Sequence, residues 1–201
     1  MSDGDVRVSP IGTVTAVPNR HAAAVVSAPG TRERWVLIAG DFTPLGGMDR
    51  ANHALASSLA TRAGAEVHIV AHRVWADLER APAVHVHRVK RPFGSHIAGG
   101  PLLAAEGERC ARRLTGARVI ANGGNADAGD VTWVHYVHAA HTLRSRGIRR
   151  AVQTRVVHKY DLARERRALT HARVVLCNSE RTARDVHERL GVAADRMRVV
   201  Y

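Results

Sequence analysis

An α/β fold built on a doubly wound parallel sheet is the architecture this sequence predicts, and three observations predict it. Apolar runs of strand length alternate with amphipathic stretches of helix length along most of the 201 residues. The first run, Trp35–Ala39 (WVLIA), is continuously apolar, as expected of a strand covered on both faces. The segments between runs are short, which suits repeated strand–helix units returning to one sheet.

The elements follow in order. After the strand Trp35–Ala39 comes a loop closing on Gly46-Gly47. Met48, Ala51, Leu55 and Leu59 then recur at helical spacing, and Gly64 stops that helix. Glu66–Ala71 (EVHIVA) and Val84–Val89 (VHVHRV) are the second and third strands. Ile97–Leu114 forms a helix with Leu103, Cys110 and Leu114 on one face, weakened by Gly107 by about 1 kcal/mol relative to alanine. Arg118–Ala121 and Val131–Val137 are the fourth and fifth strands, and Val152–Ala168 is a long, highly charged helix. Arg173–Cys177 (RVVLC) is the sixth strand. Ser179 caps a helix that runs to Leu190 with Ala183, Val186 and Leu190 inward, and Gly191 closes it. Met197–Tyr201 opens a further strand. In such sheets ligands sit at the C-terminal strand ends, so the ends of the first, fourth, fifth and sixth strands are the places to search.

A domain of about 150 residues hides about 70% of its unfolded surface, so this chain supports a proper core, and its 45% apolar content is ordinary. No apolar run approaches the ~20 residues that cross a bilayer. The first 31 residues carry Pro10, Pro18 and Pro29, and their apolar stretch is too alanine-rich and too late for a signal peptide. Residues 1–33 read as a flexible tail, residues 34–201 as the folded domain, and a cytoplasmic location follows as the default. Cys110 and Cys177 form no CxxC and read as buried free thiols rather than a disulfide or a metal site.

The net charge is +12, from 28 arginines and two lysines. Nucleic acid, an anionic membrane surface and phosphorylated substrates are all partners for such a balance. The arginines are dispersed, however, and aromatic residues make up only 4%, which leaves little stacking surface for single strands. No helix-turn-helix or RNA-binding motif is present. Nucleic acid is therefore not the expected partner, while peripheral contact with a membrane stays open.

Two glycines at a helix start let backbone N–H groups approach an anion, and the helix N-terminus favours negative charge. Gly46-Gly47 fits that role, with a plain turn as the alternative. The chain continues Met48-Asp49-Arg50, so neither G-x-G-x-x-G nor G-K-[ST] is present. Farther on, His135, His138 and His141 lie three apart. On a continuous strand residues i and i+3 point to opposite faces, which argues against a metal site, although a helical turn after His135 regathers the later two.

The segment GGMDRANHALASSLA, ending in Leu55-Ala56-Ser57-Ser58-Leu59-Ala60, resembles the start of family 4 glycosyltransferases of GT-B fold. So do Asp130-Val131 with His135 at the end of that strand. The run from Glu165 to Glu180 is similar to the family's charged helix, "Ala-x-x-Val-x-x-x-Ser" strand and capped helix, with Ser179 matching the serine. The resemblance spans about 35–201. It implies a Rossmann-like, acceptor-side half-domain of GT-B, with Gly46 and Gly47 in the interdomain cleft and His135 as the catalytic-site histidine. His138 and Ser179 are further substrate-binding candidates; Arg155 and Lys159 are read as a solvated helical face.

For the full-length protein the resemblance implies transfer of a hexose from a nucleotide diphosphate sugar to an acceptor, with retention, and without metal or other cofactor. The family's donor site, with a basic residue and an E-x7-E pair, lies in a C-terminal domain that this chain is expected to lack. Glu180 and Glu188 share that spacing but sit on the wrong helix. The chain alone is expected to be inactive. A non-catalytic nucleotide- or phosphate-binding module and a basic nucleic-acid binder are the alternatives.

Overall fold

The continuous apolar run at the start of the folded region becomes the interior strand β1 (Glu33–Ile38), where alternate residues enter two different cores. A computed structural model describes residues 33–127, 129–140 and 148–200, with side chains in the last segment from residue 154 onward. The tail expected over 1–33 lies, apart from Glu33, outside the described residues, as do His141 and Tyr201.

Strands β3 (Ala65–Ala71) and β5 (Val84–Arg88) extend the sheet on one side of β1. Strands β6 (Arg118–Asn122), β7 (Val131–Val134), β8 (Val174–Cys177) and β9 (Met197–Val199) extend it on the other. All seven are parallel, in the order β5-β3-β1-β6-β7-β8-β9. The winding direction reverses between β1 and β6, which is where a crevice opens beyond the strand ends of such a sheet. This is the Rossmann-like fold expected from the sequence.

Helices cover both faces. Helix α1 (Met48–Ala60) and the short α2 (Ala76–Arg80) lie on the face carrying Leu37, Val67 and Ile69. On the opposite face α3 (His96–Arg113) brings Leu103 and Cys110 against Val36, Ile38 and Val70. A third cluster gathers Val134, Val175 and Cys177 with Leu169 of α4 (Ile148–His171) and Val186 of α5 (Glu180–Leu190). Both cysteines are free and buried, as expected.

Gly107 has a reason to interrupt α3. A Cβ there would stand 2.7 Å from Ile38 Cδ1, so the missing side chain lets the helix settle on β1. Several details depart from the sequence expectation, among them a long helix that starts at Ile148 rather than Val152 and ends at His171. The two-residue strands β2 (Asp41–Phe42) and β4 (Arg73–Val74) pair separately, and these, with α2, are too short to leave a periodic signal. The fifth strand stops at Val134 rather than Val137, and the chain then turns through a single 3₁₀ turn at His138–Ala140. The sixth strand starts at Val174, one residue late. No helix among the described residues is long and apolar enough to cross a membrane.

Candidate functional site at the strand ends

A cavity of about 330 Å³ opens at the C-terminal ends of β6 and β7, a volume within the range of small-molecule sites. Three places in the sequence supply its walls. The turn after β6 gives Asn122, Gly123, Gly124 and Asn125; the segment after β7 gives His135, Tyr136 and His138; helix α4 gives Asp161, Arg164 and Glu165. Met48, the first residue of α1, and His96, the first of α3, complete it.

The early end of β7 makes this possible. Because the strand stops at Val134, the argument that His135 and His138 diverge on opposite faces does not apply, and both line one cavity. His135 lies against Trp133 with ring centroids 4.5 Å apart. Its Nε2 is buried and has no hydrogen-bond partner among the described residues. Burial holds its imidazole below the ordinary pKa, so the ring is neutral at pH 7. A neutral imidazole with an uncommitted nitrogen either donates to or accepts from a ligand hydroxyl, according to tautomer.

His138 faces two carboxyl groups. Its backbone N–H donates to both oxygens of Glu165 at 3.1 Å, and its ring nitrogens lie 3.7 Å from Glu165 and 4.0 Å from Asp161. His96 reaches Asp161 at 3.6 Å from the other side. Glu165 is 2% exposed, and burial lifts its carboxyl to about 7 against the pull of the His138 and Ala139 N–H groups. Near neutral pH that carboxyl both donates and accepts hydrogen bonds. Arg164 is held by Tyr160 Oη at 3.1 Å and by the Asn125 carbonyl at 3.0 Å. Gly124 allows the close approach of α4, since a Cβ there would stand 3.0 Å from the Glu165 backbone nitrogen.

The remaining candidates fall as follows. Gly47 is the N-cap of α1 and Gly46, at φ +79°, takes the left-handed conformation that favours glycine. Both are exposed, with nothing within 4 Å of an added Cβ. They immediately precede Met48 but are not themselves in the cavity wall. Ser179 accepts from the Thr182 N–H at 3.1 Å, and its hydroxyl donates to Thr182 Oγ1, which itself donates to Asn178. That hydroxyl is committed to the cap, and Ser179 does not line the cavity. Arg155 and Lys159 are exposed and outside it. Sequence reasoning missed Asp161 and Glu165, whose i, i+4 spacing within a charged helix was the available signal.

Comparisons with known proteins agree with this architecture. No curated protein sequence matches the chain. Among 21 similar solved chains is the crystal structure of WaaG, a glycosyltransferase involved in lipopolysaccharide biosynthesis. It superposes with a TM-score of 0.63 at 16% identity, over 82% of this chain and 44% of that one. The likeness is one of fold, and this chain spans less than half the length of that structure. The model of the family described as Glycosyltransferase Family 4 matches residues 45–201, from the glycine loop to the last residue. That match takes in both the α1 start and every wall of the cavity, and on it the chain belongs to Glycosyltransferase Family 4.

Proposed function

We propose that this chain is the acceptor-side half of a cytoplasmic hexosyltransferase that uses a nucleotide diphosphate sugar and needs a second, donor-binding domain for turnover. The observation that carries the reading is the buried Nε2 of His135, unpartnered among the described residues, in the wall of a cavity at the ends of β6 and β7, beside the topological switch of the sheet. A crevice at that place is where such sheets bind ligands.

In this reading His135, neutral and packed against Trp133, hydrogen-bonds a hydroxyl of the transferred sugar. His138 and the Asp161–Glu165 pair hold hydroxyls of the sugar or acceptor. The exposed amides around Gly46 and Gly47, at the start of α1, face the diphosphate or an anionic acceptor, where the helix N-terminus favours negative charge. Charge that develops on the departing diphosphate is met by cations of the second domain.

The test is an assay of nucleoside diphosphate release from a panel of nucleotide hexoses. The 201-residue chain is measured alone and fused to the C-terminal half of a family 4 enzyme. Turnover is expected only in the fusion, and His135→Ala should lower its kcat by about 100-fold or more, the scale of a lost catalytic side chain. Full turnover by the chain alone, or a His135→Ala fusion at the parental rate, would refute the proposal.

A further inference from the structure

A second constellation lies away from the cavity, on the face of the sheet that α3 covers. Strand residues two apart share a face, so His85 and His87 of the edge strand β5 point the same way. His68 of β3 pairs in register with His85, and Val70 with His87, which brings His68 beside both. Its ring stacks on theirs, with centroids 4.8 Å from His85 and 5.3 Å from His87. Over them sits Cys110 of α3, 3% exposed. One ligand atom each from His68, His87 and Cys110 lies within 4.8 Å of the others.

The hydrogen bonds fix which nitrogens face inward. Glu66 accepts from His68 Nε2 at 3.1 Å. An ionised carboxylate only accepts, so Nε2 carries the proton and Nδ1 of the neutral ring presents a lone pair. That Nδ1 stands 3.0 Å from His87 Nε2. Two imidazole nitrogens bound tetrahedrally to zinc at about 2.0–2.1 Å lie about 3.3–3.4 Å apart, so the pair need open by only a few tenths of an ångström. A carboxylate on the outer nitrogen of a histidine is also the arrangement that orients metal-binding imidazoles.

We propose that His68 Nδ1, His87 Nε2 and Cys110 Sγ bind one zinc-type divalent ion, with Glu66 orienting His68. The ion pins the edge strand β5 to α3 and lies outside the sugar-transfer cavity, none of whose walls these residues form. On binding, the Cys110 thiol gives its proton to the buffer and becomes the thiolate ligand. The His87 proton moves from Nε2 to Nδ1, so one proton is released per ion.

The experiment titrates the full chain with Zn²⁺ by calorimetry in buffers of different ionisation enthalpy, and with Co²⁺ by absorption spectroscopy. One equivalent of metal, release of one proton and a thiolate-to-cobalt charge-transfer band are expected. Cys110→Ser should abolish the band, while Cys177→Ser should keep it. Glu66→Gln should weaken Zn²⁺ binding by about 10- to 100-fold. His87→Gln, on the sheet edge and with circular dichroism to confirm folding, should lose stoichiometric binding even if the cysteine variant does not fold. Absence of saturable binding, a cobalt spectrum without the band, or binding unchanged in His87→Gln would overturn the site.

Discussion

Asn122 donates from Nδ2 to Oδ1 of Asn52 across 2.7 Å, with both side chains buried. Asn52 in turn donates to the Asp41 carbonyl at 3.3 Å. The chain of amides ties the first turns of α1, which follows β1, to the end of β6, and β1 and β6 are the strands between which the order reverses. It thereby sets the distance between Met48 and the Gly123–Asn125 turn, two walls of the cavity. Asn122→Ala leaves the Asn52 carbonyl buried and without that donor. Such an orphaned group costs about 1–3 kcal/mol, which urea denaturation should show as a lower midpoint at unchanged slope. A variant as stable as the parent would mean that water or another donor replaces the bond.

Gly107→Ala sets helix propensity against packing. Alanine gains about 1 kcal/mol in a helix interior. The new methyl, however, meets Ile38 in a filled core, where overpacking costs about 1–3 kcal/mol. The collision is at 2.7 Å and Ile38 is 1% exposed, so packing should win and the melting temperature should fall. A rise in melting temperature would show that α3 slides away from β1 at little cost.

The sheet was legible because its strands are buried on both faces and so read as uninterrupted apolar runs bounded by glycine and charge. Gly107, read from sequence as a weakness in α3, is the contact that seats it. His135 was singled out by the family resemblance, which puts a histidine at the end of the fifth strand, and the structure sets it in the cavity wall. His138 was only half found, since its position depends on where β7 stops, and nothing local in Val131–Val137 marks that end. Glu165 sits in a helix rich in arginine and reads as solvated. Only the packing of α4 against Gly124 turns it inward. Asn52 and Asn122 are 70 residues apart, and no local pattern announces a bond between them.

Ser179 offers a separation of capping from ligand contact. Its hydroxyl is spent on Thr182 at both donor and acceptor positions. Ser179→Ala should cost about 1 kcal/mol of stability, the usual loss for a removed N-cap. In the fusion described above, KM for the nucleotide sugar should stay within a factor of about two, well under the tenfold that 1.4 kcal/mol represents. A large KM effect with little loss of stability would put the side chain in the substrate's path instead.

Glu165 makes the stability of the chain depend on pH in a direction opposite to that of an ordinary paired carboxylate. Burial is the main cause of its rise from an ordinary 4.5 to about 7, and Asp161 adds to it. The folded chain therefore holds this proton more tightly than the unfolded chain does. The resulting stabilisation is fully present below about pH 4.5 and is lost as pH rises through about 7. At about 1.36 kcal/mol per unit, the whole effect is on the order of 3 kcal/mol. Glu165→Gln keeps an oxygen for the His138 N–H and does not titrate. Urea denaturation of both proteins between about pH 5 and pH 8 should show the glutamine variant gaining on the parent as pH rises, because only the parent must bury a carboxylate. A stability difference between Glu165→Gln and parent that is the same at every pH would mean that the carboxyl is solvated in the folded chain and that α4 does not press it against the Gly123–Asn125 turn.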